Sequence, residues 1–182
     1  MSITRATRLE IRIQHCGSLL PRRVHALCHA LKAKLLARRP TMRGMRILIE
    51  AEDLTIDDAK KQCELLFSDA LTIEVIALTE EEGKYSLASI LIDPDAIACD
   101  ACMEIRGFDD YRIDIPLILE IALDRAKSWV EFEKMVLAEA RDLLIPPHRT
   151  DDSSAWNPAD RSCVLKCLEM IRHLAAAHDR LH

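Results

Sequence analysis

Glycine is scarce in this chain of 182 residues. It occurs four times, as Gly17, Gly44, Gly83 and Gly107. That spacing excludes the Gly-x-Gly-x-x-Gly turn of dinucleotide-binding sheets and the Gly-rich loop that cradles nucleotide phosphates. Gly-x-Ser-x-Gly and His-Glu-x-x-His are missing too, and with them two common signatures of hydrolytic enzymes. Aromatics make up 4% of the chain, so a core must be built from Leu, Ile, Val, Ala and Met. No apolar run reaches the roughly 18 residues that span a bilayer. The longest, from Ile115 to Leu123, is broken by Pro116 and Glu120, and no secretory apolar segment follows Met1. A membrane partner is not expected. The cysteines lack a framework pattern, and their number, seven, is odd. Reduced thiols in a reducing compartment follow, with the cytoplasm as the expected location.

Charge is present but unevenly distributed. Residues 1–46 hold eleven Arg or Lys and one acid, Glu10, a net of +10, and the remaining 14 bases and 29 acids give residues 47–182 a net of −15. The overall −5 hides this division. An Arg-rich, acid-poor start resembles a transit peptide in composition. The alternation of Leu9, Ile11 and Ile13 opposes that reading and makes the segment part of a fold. With 49% apolar and 30% charged residues, the chain can bury a core.

Periodicity places the elements. Arg8–Gln14 alternates as a strand with one wet face. Pro21 opens a helix that runs to Arg39 and stops before Pro40. Arg46–Ala51 is a second strand. Thr55-Ile-Asp-Asp58 caps a helix carrying Ile56, Ala59, Cys63, Leu66 and Phe67 on one face. Thr72–Leu78 is a third strand, Glu80–Gly83 a turn, and Tyr85–Ile92 a fourth strand closing a hairpin. Asp93-Pro-Asp95 reads as a turn and Ala101–Arg106 as a short strand. From Pro116 to Leu144 the pattern is helical, with a second capping box at Ser128-Trp-Val-Glu131. Asn157-Pro158 caps a last helix reaching Leu181. These elements predict an α+β protein. A β-α-β-α-β-β sheet layer with helices packed on it covers residues 1–112. A helical part over 113–182 packs on the same core, so the two form one structural unit.

Laid out at 100° per residue, a helix over 21–39 has Val24, Leu27, Cys28, Leu31 and Leu35 on its inner stripe. Ala26, Ala30, Ala33 and Ala37 line the opposite side, with basic residues along both flanks. A DNA-reading helix would show one continuous basic face. Small residues instead admit a second helix, from this chain or another copy, so the expected interaction residues are Ala26, Ala30, Ala33, Ala37, Arg38, Arg39, Arg43 and Arg46, and the expected partner is a protein, either a second copy of the chain or another. The bland alternative is that alanine is simply the best helix former on a solvated face.

Three chemistries compete with this reading. Cys99-Asp-Ala-Cys102 and the Cys163/Cys167 pair, four apart on a helix, would supply four thiolates for a structural zinc; buried reduced cysteines are the plainer account. Asp93, Asp95, Asp109, Asp110 and Asp114 gather carboxylates, and Pro94-Asp95 with Glu104-Ile-Arg106 loosely resembles a nuclease pattern, although Arg106 stands where lysine belongs. Turn chemistry explains both acidic clusters more cheaply. Finally, Arg8 and Arg12 on the wet sheet face and the Arg38–Arg46 cluster could contact nucleic-acid phosphates, but aromatics for base stacking are missing there. No motif argues for an enzyme, and one without a named motif is not excluded. The expectation is a non-catalytic, self-associating interaction or regulatory protein, with nucleic-acid binding or a zinc-stabilised domain as alternatives.

Overall fold

The computed structural model describes residues 6–14, 21–41, 44–107, 114–144 and 157–179. The chain divides into two compact units, Met1–Leu91 and Ile92–His182. The first contains β1 (Ala6–Gln14), α1 (Pro21–Ala30), β2 (Lys34–Thr41), β3 (Gly44–Glu52), α2 (Ile56–Leu66), β4 (Thr72–Leu78) and α3 (Glu80–Leu91). Its strands form one antiparallel sheet in the order β2-β3-β1-β4. Two β-α-β units interleave, so that β3 lies between β1 and β2, and β1 lies between β3 and β4. This is the split β-α-β arrangement. The α+β class expected from the sequence is borne out.

Strict alternation along β1 and β3 gives the sheet two different faces. Leu9, Ile11 and Ile13 stand opposite Ile49, Ile47 and Met45. All six are buried against Val24, Leu27 and Cys28 of α1 and Ala59, Cys63 and Phe67 at α2. Thr55 caps α2 as expected, its hydroxyl accepting the Asp58 amide at 3.1 Å. Gly44 is required where β3 meets β1. Its φ is +154°, and a Cβ there would lie 1.8 Å from the Ile13 carbonyl oxygen.

Two segments depart from the sequence reading. The first helix stops at Ala30, not Arg39. Lys32 adopts a left-handed φ of 50°. Its amide then reaches the His29 carbonyl at 3.2 Å, and the Ala33 amide reaches the Cys28 carbonyl at 2.8 Å. That bond pair is a Schellman stop, usually made by glycine. Residues 34–41 become a strand although Lys, Leu, Ala and Arg favour helix, because pairing with β3 outweighs local preference. The inner stripe survives the change: Val24, Leu27, Cys28 and Leu31 are buried, and Leu35 joins the same cluster from β2.

The second departure is α3. Glu80–Leu91 is a helix, not a turn and a returning strand. Thr79 and Glu82 form a reciprocal capping box: the Glu82 amide donates to Thr79 Oγ1 at 3.3 Å and the Thr79 amide to Glu82 Oε2 at 2.9 Å. Gly83, read as a turn signal, lies inside this helix close over Arg8, where a Cβ would come within a tight 3.1 Å of Arg8 Cδ. The alternation of Tyr85-Ser-Leu-Ala-Ser-Ile mimics a strand because the helix is buried on most of its circumference.

Among the described residues the second unit has four helices, α4 (Pro94–Arg106), α5 (Asp114–Arg125), α6 (Trp129–Leu144) and α7 (Pro158–Asp179). Each packs on the next, and α4 packs on α7. The short strand expected at Ala101–Arg106 is part of α4. The capping box read at Ser128 is formed, the Glu131 amide donating to Ser128 Oγ at 3.2 Å, and it separates two helices within the 116–144 stretch, which the sequence left open between two helices and one bent one. On α7, Leu174 is 49% exposed, while Ala175 beside it is buried. Ion pairs tie neighbouring helices: Glu104 to Lys166 at 2.9 Å, Arg125 to Glu139 at 3.4 Å, and Arg172 across both oxygens of Glu133. No described helix is long and apolar enough to cross a membrane.

Candidate functional site

The face of the sheet away from α1 and α2 carries charged residues of β1, β3 and β2. Arg12 stands opposite Arg46, and Arg46 opposite Arg39, so three arginines lie in register across β1, β3 and β2. Like charges placed side by side on a sheet repel. Glu10 and α3 answer them. Arg46 donates through Nε to Glu10 Oε1 at 2.9 Å and through Nη2 to Oε2 at 3.2 Å. Arg12 Nε reaches Glu10 Oε1 at 2.6 Å, and Ser86 Oγ donates to Glu10 Oε2 at 2.5 Å. Ser89 accepts from Arg46 Nη2 at 3.2 Å and donates to the Ser86 carbonyl at 3.0 Å. Arg39 reaches the Ser89 carbonyl at 3.3 Å, in the last turn of α3, where the helix dipole is negative.

Glu10, Arg46, Ser86 and Ser89 are each no more than 2% exposed. Burial alone would raise the Glu10 pKa. The Arg46 charge and hydrogen bonds, then Arg12 and Ser86, outweigh burial and bring it from 4.5 to about 2. The carboxylate is therefore ionised, fully hydrogen-bonded and sealed beneath α3. The sheet face expected to be wet is a polar layer inside the unit. A one-residue slip of β1 on β3 would turn Glu10 into the apolar face and leave Arg46 without its carboxylate, so the layer specifies register as much as it stabilises.

Other bases of the first third are similarly engaged. Arg8 pairs with Glu50 at 2.8 Å, and Arg23 pairs with Asp69. Within residues 1–91 the fourteen Lys and Arg meet twelve Asp and Glu, a net of +2, while residues 92–182 carry eleven against eighteen, a net of −7. The steep division read along the chain is thus largely cancelled inside the first unit.

The expected alanine seam is not a helical stripe. Ala26 and Ala30 are exposed on α1, Ala33 lies in the turn after it, and Ala37 is buried in β2 beneath α3. Arg38 is exposed on β2, Arg39 and Arg46 face α3, and Arg43 falls outside the described residues.

Of the four cysteines expected at a zinc site, Cys102, Cys163 and Cys167 are buried where α4 packs on α7, and Cys99 is half-buried. Burial, reinforced by Cys102 and Cys163, pushes the Cys167 thiol up to about 12. Cys63, buried and beside Glu64, also rises to about 12. Such thiols stay protonated and pack as small apolar groups. Among the described residues no group of three or more His, Cys, Asp or Glu is placed to hold a metal ion. The acidic motif near residue 93 has a structural role, since Asp93 caps α4 by accepting the Asp95 and Ala96 amides at 3.0 and 3.3 Å. Glu104 and Arg106 lie on that helix, and Asp109 and Asp110 lie outside the described residues.

The two edges of the sheet remain. β2 carries Lys34, Arg38 and Arg39, has Pro40 near its end, and is bulged between Leu35 and Ala37. Each of these features discourages another strand from adding. β4 has none of them: Thr-Ile-Glu-Val-Ile-Ala-Leu pairs with β1 in unbroken register over seven residues and carries one charge, Glu74. Thr72, Glu74 and Ala77 are exposed along it, and Leu71 just before it is 67% exposed. The sequence located this strand to the residue but held no signal for its place at an edge. No protein-family model, curated protein or solved structure matches the chain.

Proposed function

We propose that this chain is a non-catalytic, self-associating interaction protein whose contact is the open edge of its sheet. The observation that carries the reading is the contrast between a guarded β2 and an unguarded β4. A regular strand of β-branched and apolar residues at an edge offers a row of main-chain donors and acceptors, and strand addition is the direct way to satisfy them. The alanine seam no longer supports this reading; the edge replaces it. Nucleic-acid contact is the weaker alternative, because Arg8, Arg12 and Arg46 are engaged with Glu50 and Glu10.

Light scattering coupled to size separation, over a concentration series, tests the reading. A concentration-dependent dimer is expected. A strict monomer at every concentration contradicts it.

A further inference from the structure

We infer that two copies join β4 to β4 antiparallel with Val75 on the two-fold axis, making one continuous eight-stranded sheet. The inference rests on the self-associating reading above and names its contact. Three features of the strand favour a second copy as the occupant.

The first is side-chain matching. With Val75 opposite its own copy, Ile73 meets Ala77, Thr72 meets Leu78, and Glu74 meets Ile76. The single charge of the strand, Glu74, is directly opposite an apolar residue and not its own copy. The second is polarity along the strand. At its start, Arg23 lies against Asp69, with exposed Arg22 beside it in α1. At its end come Glu80 and Glu81, both within ion-pair distance of Lys84. The start is net basic and the end net acidic. Antiparallel pairing sets each basic end against the partner's acidic end twice, as a closed two-fold contact requires. The third is apolar cover. Leu71, exposed in the single chain, comes opposite Thr79 of the second copy in the same register, just beyond the paired strands.

Two variants and one cross-link test this. Ala77→Lys adds a charge at an exposed edge position and leaves the paired side of β4 intact. It should weaken the dimer about tenfold or more, with far-UV dichroism and melting unchanged. Thr72→Lys, at the other end, should act alike and guards against a folding defect peculiar to one site. Val75→Cys should give a covalent dimer under mild thiol oxidation by a diazene oxidant, since residues directly opposite in an antiparallel pair lie within disulfide reach. Wild type treated alike should not. A monomeric wild type would overturn the self-associating reading itself. A wild-type dimer that both lysine variants leave intact, and that Val75→Cys fails to trap, would keep that reading and overturn this interface.

Discussion

The two edges of one sheet are treated oppositely. β2 is bulged, basic and closed by a proline, while β4 is regular, nearly uncharged and open. Both pair with a central strand, and both come from stretches of similar length. The difference teaches that edge character is a property separate from strand formation. A chain with a poor local preference for β structure at 34–41 ends in a protected edge, and one with a strong preference at 72–78 ends in an exposed one. In the proposed dimer, guarding one edge and leaving the other open would limit assembly to a pair.

The comparison presumes a rigid frame between the edges, and the buried polar layer supplies it. The strongest way to break the frame is Glu10→Ala, which leaves Arg46 buried without its carboxylate. It should destabilise the first unit by about 3–5 kcal/mol, read from denaturant unfolding. Replacing Glu10 and Arg46 together by Leu and Met should recover most of that loss; no recovery would show that the layer contributes more than the cancellation of charge.

Leu27→Ala, on the apolar side under α1, should cost about 2–5 kcal/mol. Unlike the loss from Glu10→Ala, its effect should be insensitive to acid. Glu10 has a folded pKa of about 2 against an ordinary 4.5. Its contribution is full above the unfolded pKa and is lost as pH falls from about 4.5 toward 2. Melting followed over that window should show wild type losing stability more steeply than Glu10→Gln. Equal slopes would mean that the carboxylate is not held by Arg46 and Arg12.

Thr79→Ala should cost about 1 kcal/mol by removing the cap of α3, and it should spare dimerisation if the β4 contact is independent of that helix. The mildest change, Lys34→Thr with Pro40→Val, removes two of the guards on β2. Assemblies larger than a dimer should then appear at high concentration in sizing experiments; a β2 that stays inert would place its protection in the bulge instead.

Much of this fold was legible. β1, α2, β4 and α7 carried alternation or caps that the structure reproduces, because those signals are local. The failures have equally local causes. The stop of α1 at Lys32 uses a left-handed lysine where a sequence advertises glycine or asparagine, and β2 is written in helix-favouring residues that only pairing with β3 can hold extended. α3 was hidden by its burial on nearly all sides, which erases the helical period, and by Gly83, which imitates a turn. Of the candidate site, the strand was legible and its edge position was not. Strand order arises from the interleaving of two β-α-β units, and no residue of 72–78 encodes it. The linear division of charge misled for the same reason: Arg8, Arg12 and Arg46 meet their acids across the sheet.

Hydrogen exchange resolved by residue, on dilute and concentrated samples, sets the two edges against each other in a single experiment. The account predicts that β4 amides within 72–78 slow as concentration rises while those of β2 within 34–41 do not change. Exchange at β4 that is indifferent to concentration, or protection that grows at β2 instead, would contradict it.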